Sequence, residues 1–226
     1  KAFPPINGYN FHLVSEGEVD GITYFKTMTH GINGQGRKLG EAVWSYDPAS
    51  NELKLAGRPL GPEIASSEAN KWVKGSDGQF YGFGQRKDNQ IVAWRFDPRT
   101  MKSEIHPIAP THAHLTWMYS QPVLDGDWVY LKVGNRPWRL WAFNFQTRET
   151  RMLLETADFV GDTRTISFGR FALASNRSQA APGYRVIVRQ PAGKELAESS
   201  YWLKDGVLTT AEKDSLPPWV NEPITT

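Results

Sequence analysis

The sequence contains no cysteine among its 226 residues. Disulfides, thiolate nucleophiles and cysteine-ligated zinc are excluded together. The compartment stays open, because secreted and cytosolic proteins alike can lack cysteine. No apolar run approaches the roughly 18 residues of a membrane-spanning helix, so no membrane span is expected. Net charge is also scarce: 26 Lys and Arg against 24 Asp and Glu leave +2, and nothing in that balance asks for nucleic acid. Two catalytic signatures are missing as well. No Gly-x-Ser-x-Gly elbow occurs, and Gly31-Ile32-Asn33-Gly34-Gln35-Gly36 lacks the Gly-Lys-Ser/Thr ending and the following helix of a phosphate loop. The first residue is Lys1 rather than Met. A removed leader or a trimmed start is therefore expected, with secretion or a periplasmic location as the compartment reading.

What the chain has in abundance is aromatic side chains, 12% of residues with nine Trp. Apolar residues reach 39%, enough for a substantial core. Flat, bulky side chains at that density suit sheets whose faces are filled by stacked rings.

Three segments repeat. Asp20-Gly21-Ile22-Thr23-Tyr24-Phe25 is followed by Trp44-Ser45-Tyr46-Asp47-Pro48 and Leu53. Asp77-Gly78-Gln79-Phe80-Tyr81 is followed by Trp94-Arg95-Phe96-Asp97-Pro98 and Ile105. Asp125-Gly126-Asp127-Trp128-Val129-Tyr130 is followed by Trp141-Ala142-Phe143-Asn144 and Met152. The tryptophans 44, 94 and 141 lie 50 and 47 residues apart, a period typical of repeat architectures. Asp-Gly between apolar runs reads as a tight hairpin. Trp-x-Tyr/Phe reads as a strand with both rings on one face. Asp-Pro-x-Ser/Thr reads as a turn in which Pro fixes φ. Each unit is thus four antiparallel strands, the blade of a β-propeller.

The expected fold is all-β, a propeller of about four such blades or part of a larger ring. Blades are expected near residues 15–61, 62–110, 111–159 and 160–209, followed by an irregular tail over 211–226. The fourth unit is weaker. There Phe171–Ala174 and Tyr184–Val188 read as strands, and Gln190-Pro191-Ala192-Gly193 stands where the Asp-Pro turn belongs. A two-sheet sandwich is the alternative arrangement, but the blade-like period argues against it.

The blade pattern resembles kelch-like and gluconolactonase-like propellers, in which a tyrosine-rich strand precedes an aromatic-x-Tyr-Asp-Pro-x-Thr turn. A second resemblance, to propeller polysaccharide lyases of the ulvan lyase type, rests on His112-Ala113-His114, the Asp125-Gly126 hairpin and Asn135-Arg136-Pro137-Trp138-Arg139. It implies binding of an acidic polysaccharide and its cleavage by β-elimination.

Connectivity sorts charge by face. The first and third turns of each blade emerge at one end of the strands, gathering Asp20, Asp47, Glu52, Asp77, Asp97, Asp125 and Asp127. The remaining loops emerge at the other, carrying Lys26, Arg37, Lys38, Arg86, Lys87 and Arg136 against Glu41 and Asp88, with His30, His106, His112 and His114. A basic, loop-rich face suits an anionic ligand such as a uronate or sulfated glycan. Nucleic acid is not expected, because the basic residues are scattered rather than arrayed on one element. The plainer account is that each Asp serves its own turn and each Lys or Arg is an ordinary solvated residue.

Elimination needs a cation on the uronate carboxylate, a base for the C5 proton and an acid for the leaving oxygen. Arg136 or Arg139 suits the first task, His112 or His114 the second, and Tyr119 the third. His30 is an alternative base within a ligand-binding set that includes Arg37, Lys38, Arg86, Lys87, Trp117 and Trp138. The tryptophans can serve as sugar platforms or can simply pack between blades. His112 and His114 offer two zinc ligands without an evident third, so neither a metal nor another cofactor is expected. A non-enzymatic propeller scaffold is the competing function.

Overall fold

The computed structural model describes residues 12–28, 42–65, 72–86, 88, 90–110, 122–133, 139–155, 166–171, 183–192 and 195–211. Every regular element among them is a strand. Blade 1 is a meander of β1 (His12–Val19), β2 (Ile22–Met28), β3 (Val43–Asp47) and β4 (Glu52–Gly57). Blade 2 contains β5 (Ile64–Ala65), β6 (Val73–Lys74), β7 (Phe80–Arg86), β8 (Gln90–Asp97) and β9 (Lys102–Pro110). Blade 3 contains β10 (Val123–Asp125), β11 (Trp128–Val133), β12 (Arg139–Asn144) and β13 (Thr150–Glu155). Blade 4 contains β14 (Ile166–Phe171), β15 (Gly183–Ala192), β16 (Glu195–Lys204) and β17 (Val207–Thr210). All pairings are antiparallel. The fold is a β-propeller of four-stranded blades, and the chain divides into two compact units, Lys1–Leu124 and Asp125–Thr226.

The repeat seen in the sequence is a repeat in space. Trp44, Trp94 and Trp141 all lie on the third strand of their sheets, opposite Leu55, Ile105 and Met152 on the outermost strand. The outer strand slips register directly before Trp44, between it and Val43, directly before Trp141, between it and Leu140, and two residues before Trp94, between Ile91 and Val92. Such bulges twist an edge strand and discourage it from pairing with other chains. The third turn also recurs. Asn51, Met101 and Arg148 all adopt positive φ, 55°, 57° and 60°, four residues after Asp47, Asp97 and Asn144.

Blade 2 departs from the expected four strands, because its first strand is split. β5 and β6 both pair with β7, at its far and near ends respectively. Blade 4 departs in its turn. Gln190, Pro191 and Ala192 belong to β15 and pair with β16 rather than forming a turn. Pro191 is tolerated there because β14 pairs with β15 only as far as Val188, so no ladder bond is lost on that side. The counterpart of the Asp-Pro turn is Asp205-Gly206, a two-residue turn with φ of 50° and 72°.

The core of the first unit is an aromatic layer between blades 1 and 2. Trp72, Phe80, Trp94 and Phe96 are 2% exposed or less. Trp72 meets Trp94 and Phe96 edge-on at 5.5 and 5.0 Å, and Tyr24 of blade 1 meets Phe80 edge-on at 6.0 Å. Edge-to-face packing of this kind adds to the burial itself. β7 and β8 are buried on both faces: Phe80, Val92, Trp94 and Phe96 lie in the layer shared with blade 1, and Phe83, Ile91 and Ala93 on the opposite face are also buried.

Gly82, opposite Trp94 in register, makes the layer possible. A Cβ at that position would fall 2.3 Å from Cζ2 of the indole. Gly82→Ala is therefore expected to force Trp94 out of its place at a cost of about 1–3 kcal/mol, the usual penalty for overpacking a tight core. Urea unfolding of the intact chain measures it; an unchanged midpoint would contradict the packing.

Candidate functional site

Ten of the twelve residues nominated from the sequence, His112, His114, Tyr119, Arg136, His30, Arg37, Lys38, Lys87, Trp117 and Trp138, lie outside the described residues. The other two are on strands, Arg86 where a loop was expected. Arg139 opens β12, and its Nε donates to Glu155 Oε2 at 2.5 Å, directly across the β12–β13 ladder. Arg86 ends β7, largely exposed, with Asp88 at 4.0 Å. Two more of the supposed loop residues are also on strands. His106 is in the middle of β9, 3.8 Å from Glu104. Lys26 is inside β2, 1% exposed, with its ammonium 5.6 Å from the Trp72 ring centroid. β2 continues to Met28 and draws Lys26 between the blades, so its charge is not part of a solvated loop face.

The turn end is acidic, as connectivity requires, and its acids are engaged locally. Asp47 accepts from the Ala49 amide at 2.8 Å and the Ser50 hydroxyl at 2.9 Å. These bonds, the amide's foremost, hold its carboxyl below the usual range. Asp97 accepts from the Arg99 amide at 2.9 Å. Asn144, which replaces Asp in blade 3, accepts from the amides of Gln146 and Thr147, both at 2.8 Å. This is side-chain turn chemistry of the ordinary Asx kind.

Two interactions at this end join successive blades. Within the first unit, Arg99, on the outer turn of blade 2, donates to Asp20, on the first turn of blade 1, through Nε at 2.6 Å and Nη2 at 3.3 Å. Within the second, the outer turn of blade 4 meets the first hairpin of blade 3. The Asp205 amide donates to Asp125 Oδ2 at 2.9 Å, and the Gly206 amide donates to the Tyr130 hydroxyl at 2.8 Å. That hydroxyl donates in turn to Asp125 Oδ2 at 3.3 Å. Arg151 closes this join, with its guanidinium carbon 4.6 Å from the Trp128 ring centroid and Nη1 on the Gly206 carbonyl at 3.1 Å.

A file of titratable groups crosses blade 2, and the sequence reading did not single it out. Asp77 accepts from the Tyr81 hydroxyl at 2.7 Å. Tyr81 faces Arg95, which donates to Glu104 at 2.7 Å, and Glu104 lies beside His106. Burial first, and then the Asp77 carboxylate, push the Tyr81 phenol up to about 12. Burial raises Glu104 too, but the Arg95 bond and charge outweigh it, with a smaller contribution from His106, and leave the carboxyl below its usual value. A signal was present: fixing the Asp97-Pro98 turn and counting outward sets Arg95 opposite Glu104. Among the described residues no group of His, Asp and Glu is arranged to hold a metal ion.

No family model matches the chain, and no curated protein matches it significantly. Solved structures do match. Acylaminoacyl peptidase from Pyrococcus horikoshii aligns over 90% of this chain and 33% of its own, with a TM-score of 0.53 at 8% identity. A prolyl endopeptidase structure aligns over 92% of this chain and 37% of its own, at 10% identity with a TM-score of 0.37. The first likeness is one of fold alone, and the second is too weak to argue from. The chain spans about a third of the length of the structures it resembles.

Removing the carboxylate beside Tyr81 tests the file. Asp77→Ala is expected to lower the Tyr81 ionisation from about 12, yet to leave it above the usual value, because burial is the larger cause. Phenolate absorbance against pH, with Tyr81→Phe to identify the signal, reads it out; an ionisation unmoved by Asp77→Ala would refute the coupling.

Proposed function

We propose that this protein is a propeller that binds an acidic polysaccharide at the end of its strands opposite the short turns, and that it cleaves this glycan by β-elimination. The observation that carries the reading is the contrast between the two ends of the first three blades. At one end the turns are short (20–21, 48–51, 75–79, 98–101, 126–127, 145–149), and their acids bond to their own backbone or to a neighbouring arginine. At the other, the connections include the longer segments 29–42 and 111–122, which carry His30, Arg37, Lys38, His112, His114 and Tyr119, while 134–138, no longer than 75–79 or 145–149, carries Arg136. Variable loops on a rigid scaffold are where binding groups gather. Cations and imidazoles are the groups a uronate needs.

The chemistry then assigns itself by type. Arg136 holds the carboxylate and stabilises the charge that develops as C5 loses its proton. His112 or His114 takes that proton, Tyr119 protonates the departing O4, the C4–O4 bond breaks, and a C4–C5 double bond forms. Arg139 is the weakest member of the set, because Glu155 already occupies its guanidinium.

A second reading, a binding scaffold without catalysis, is favoured by a different observation. Both nominated arginines that are described, Arg86 and Arg139, have a carboxylate within 4.0 Å, and Asp20, Asp47, Asp97 and Asp125 are committed to turns and joins. Peptidase activity is not carried over from the structural neighbours, since only fold is shared at 8% identity.

Incubation of the intact chain with uronate polysaccharides separates the readings, because elimination creates an unsaturated uronate with strong ultraviolet absorbance. His112→Ala, His114→Ala and Arg136→Ala are each expected to cut turnover by at least about a hundredfold, the usual value of an acid–base or charge-stabilising group, with thermal unfolding nearly unchanged. Turnover untouched by all three would overturn the site. Glycan binding without turnover in the parent would establish the scaffold reading.

A further inference from the structure

The two blade-to-blade joins occupy equivalent places, the outer turn of one blade against the first turn of the blade before it, but they are built from different chemistry. In the first unit the join is an ion pair. Arg99 engages both carboxylate oxygens of Asp20 in the open, and its Nη1 also lies 3.3 Å from Asp97. In the second unit Asp125 is 4% exposed, and among the described residues no cation pairs with it. Its partners are a phenol and a backbone amide, and both bonds land on Oδ2. A proton on Oδ1 would leave both in place while removing the cost of holding a charge out of water.

Of the groups around Asp125, the Asp205 charge reinforces this, while the Asp205 amide, the Tyr130 hydroxyl and Lys204 favour the carboxylate without outweighing burial. Asp205, on the turn facing it, is a like charge. Tyr130, from β11, donates a neutral bond. Arg151, from β13, is bidentate to Glu149 and spends its third nitrogen on the Gly206 carbonyl. Lys204 lends a favourable field that ranks behind burial and the Asp205 amide.

We infer that the two joins respond to acid in opposite directions: the Asp125–Tyr130 join of blades 3 and 4 tightens as pH falls, and the Asp20–Arg99 join of blades 1 and 2 loosens. The linkage supports both signs. Burial, aided by Asp205, raises the Asp125 carboxyl above 3.8. The folded state therefore holds that proton more tightly than the unfolded chain does, and the stabilisation is complete below the ordinary aspartate range and lost as pH rises through the folded-state value. The Arg99 hydrogen bond lowers the Asp20 carboxyl below 3.8, so that contribution is present above the ordinary value and lost as pH falls through the folded one. Acidification thus shifts stability from the first unit's join to the second's.

Backbone amide exchange on the intact chain, corrected for intrinsic rates and followed between about pH 3 and pH 7, tests the inference across the carboxylate range. In the parent, protection of the Asp205 and Gly206 amides is expected to rise about three- to tenfold towards acid, the order expected for neutralising one buried carboxylate. Protection of the Arg99 and Met101 turn amides is expected to fall. Asp125→Asn should hold Asp205 and Gly206 at the high value throughout, and Asp20→Asn should leave the blade 2 turn at its low value. A third variant, Tyr130→Phe, keeps Asp125 in place. It should weaken Gly206 protection about tenfold, the worth of one buried hydrogen bond, while the Asp205 amide keeps its rise towards acid. A parent whose Asp205 and Gly206 amides lose protection in acid would overturn the inference, as would an Asp125→Asn variant that retains the parent's pH profile.

Discussion

A four-stranded sheet has two faces and cannot bury either one alone. The rest of this structure depends on meeting that constraint by stacking sheet on sheet. Between blades 1 and 2 the contact is made by rings, Trp72, Phe80, Trp94 and Phe96, with Tyr24 reaching across from the neighbouring blade. Rings that large fit between two sheets only where the backbone gives way, and Gly82 is that place. The outer-strand bulges, the hairpin turns and the joins at the turn end all serve sheets already committed to this stacking.

The stacking also divides labour between the two ends of the blades. Hairpin turns that must stay short need Asp, Asn and Gly for backbone reasons, so one end becomes acidic without any ligand demanding it. Asp47, Asp97 and Asn144 each satisfy amides of their own turn, and Asp20 holds the neighbouring blade through Arg99. An acidic face produced this way is a by-product of turn geometry and is not an argument for a metal or a cationic partner. The connections 29–42 and 111–122 at the other end are under no such obligation, which is the physical reason to seek binding there.

Burial decides the chemistry of individual groups more than charge counting does. Lys26 and Lys54 are alike in a tally of basic residues, yet Lys54 is exposed and β2 carries Lys26 into the layer beside Trp72. Asp20 and Asp125 occupy the same turn of different blades, yet one lies open against a guanidinium and the other lies enclosed beside a phenol. Their carboxyls move in opposite directions from a common starting value. Repetition of a fold does not therefore entail repetition of its electrostatics.

The sequence by itself determined the architecture. The Asp-Gly hairpins, the Trp-x-Tyr/Phe strands and the Asp-Pro turns recur at a near-constant period, and each acts over a few residues, so its structural meaning survives without knowledge of the neighbours. Where local signals thinned out, so did legibility. The split first strand of blade 2 left no mark in the repeat, and Pro191 was mistaken for a turn because only its place beyond the β14 pairing allows it in a strand. Arg95 opposite Glu104 was countable from one turn, whereas Asp125 beside Asp205, 80 residues apart in sequence, was not. Which acid is enclosed, which arginine is already spent and which lysine is drawn between sheets are decided by how whole blades stack. Desolvation depends on atoms that distant parts of the chain bring together, and no local pattern records them.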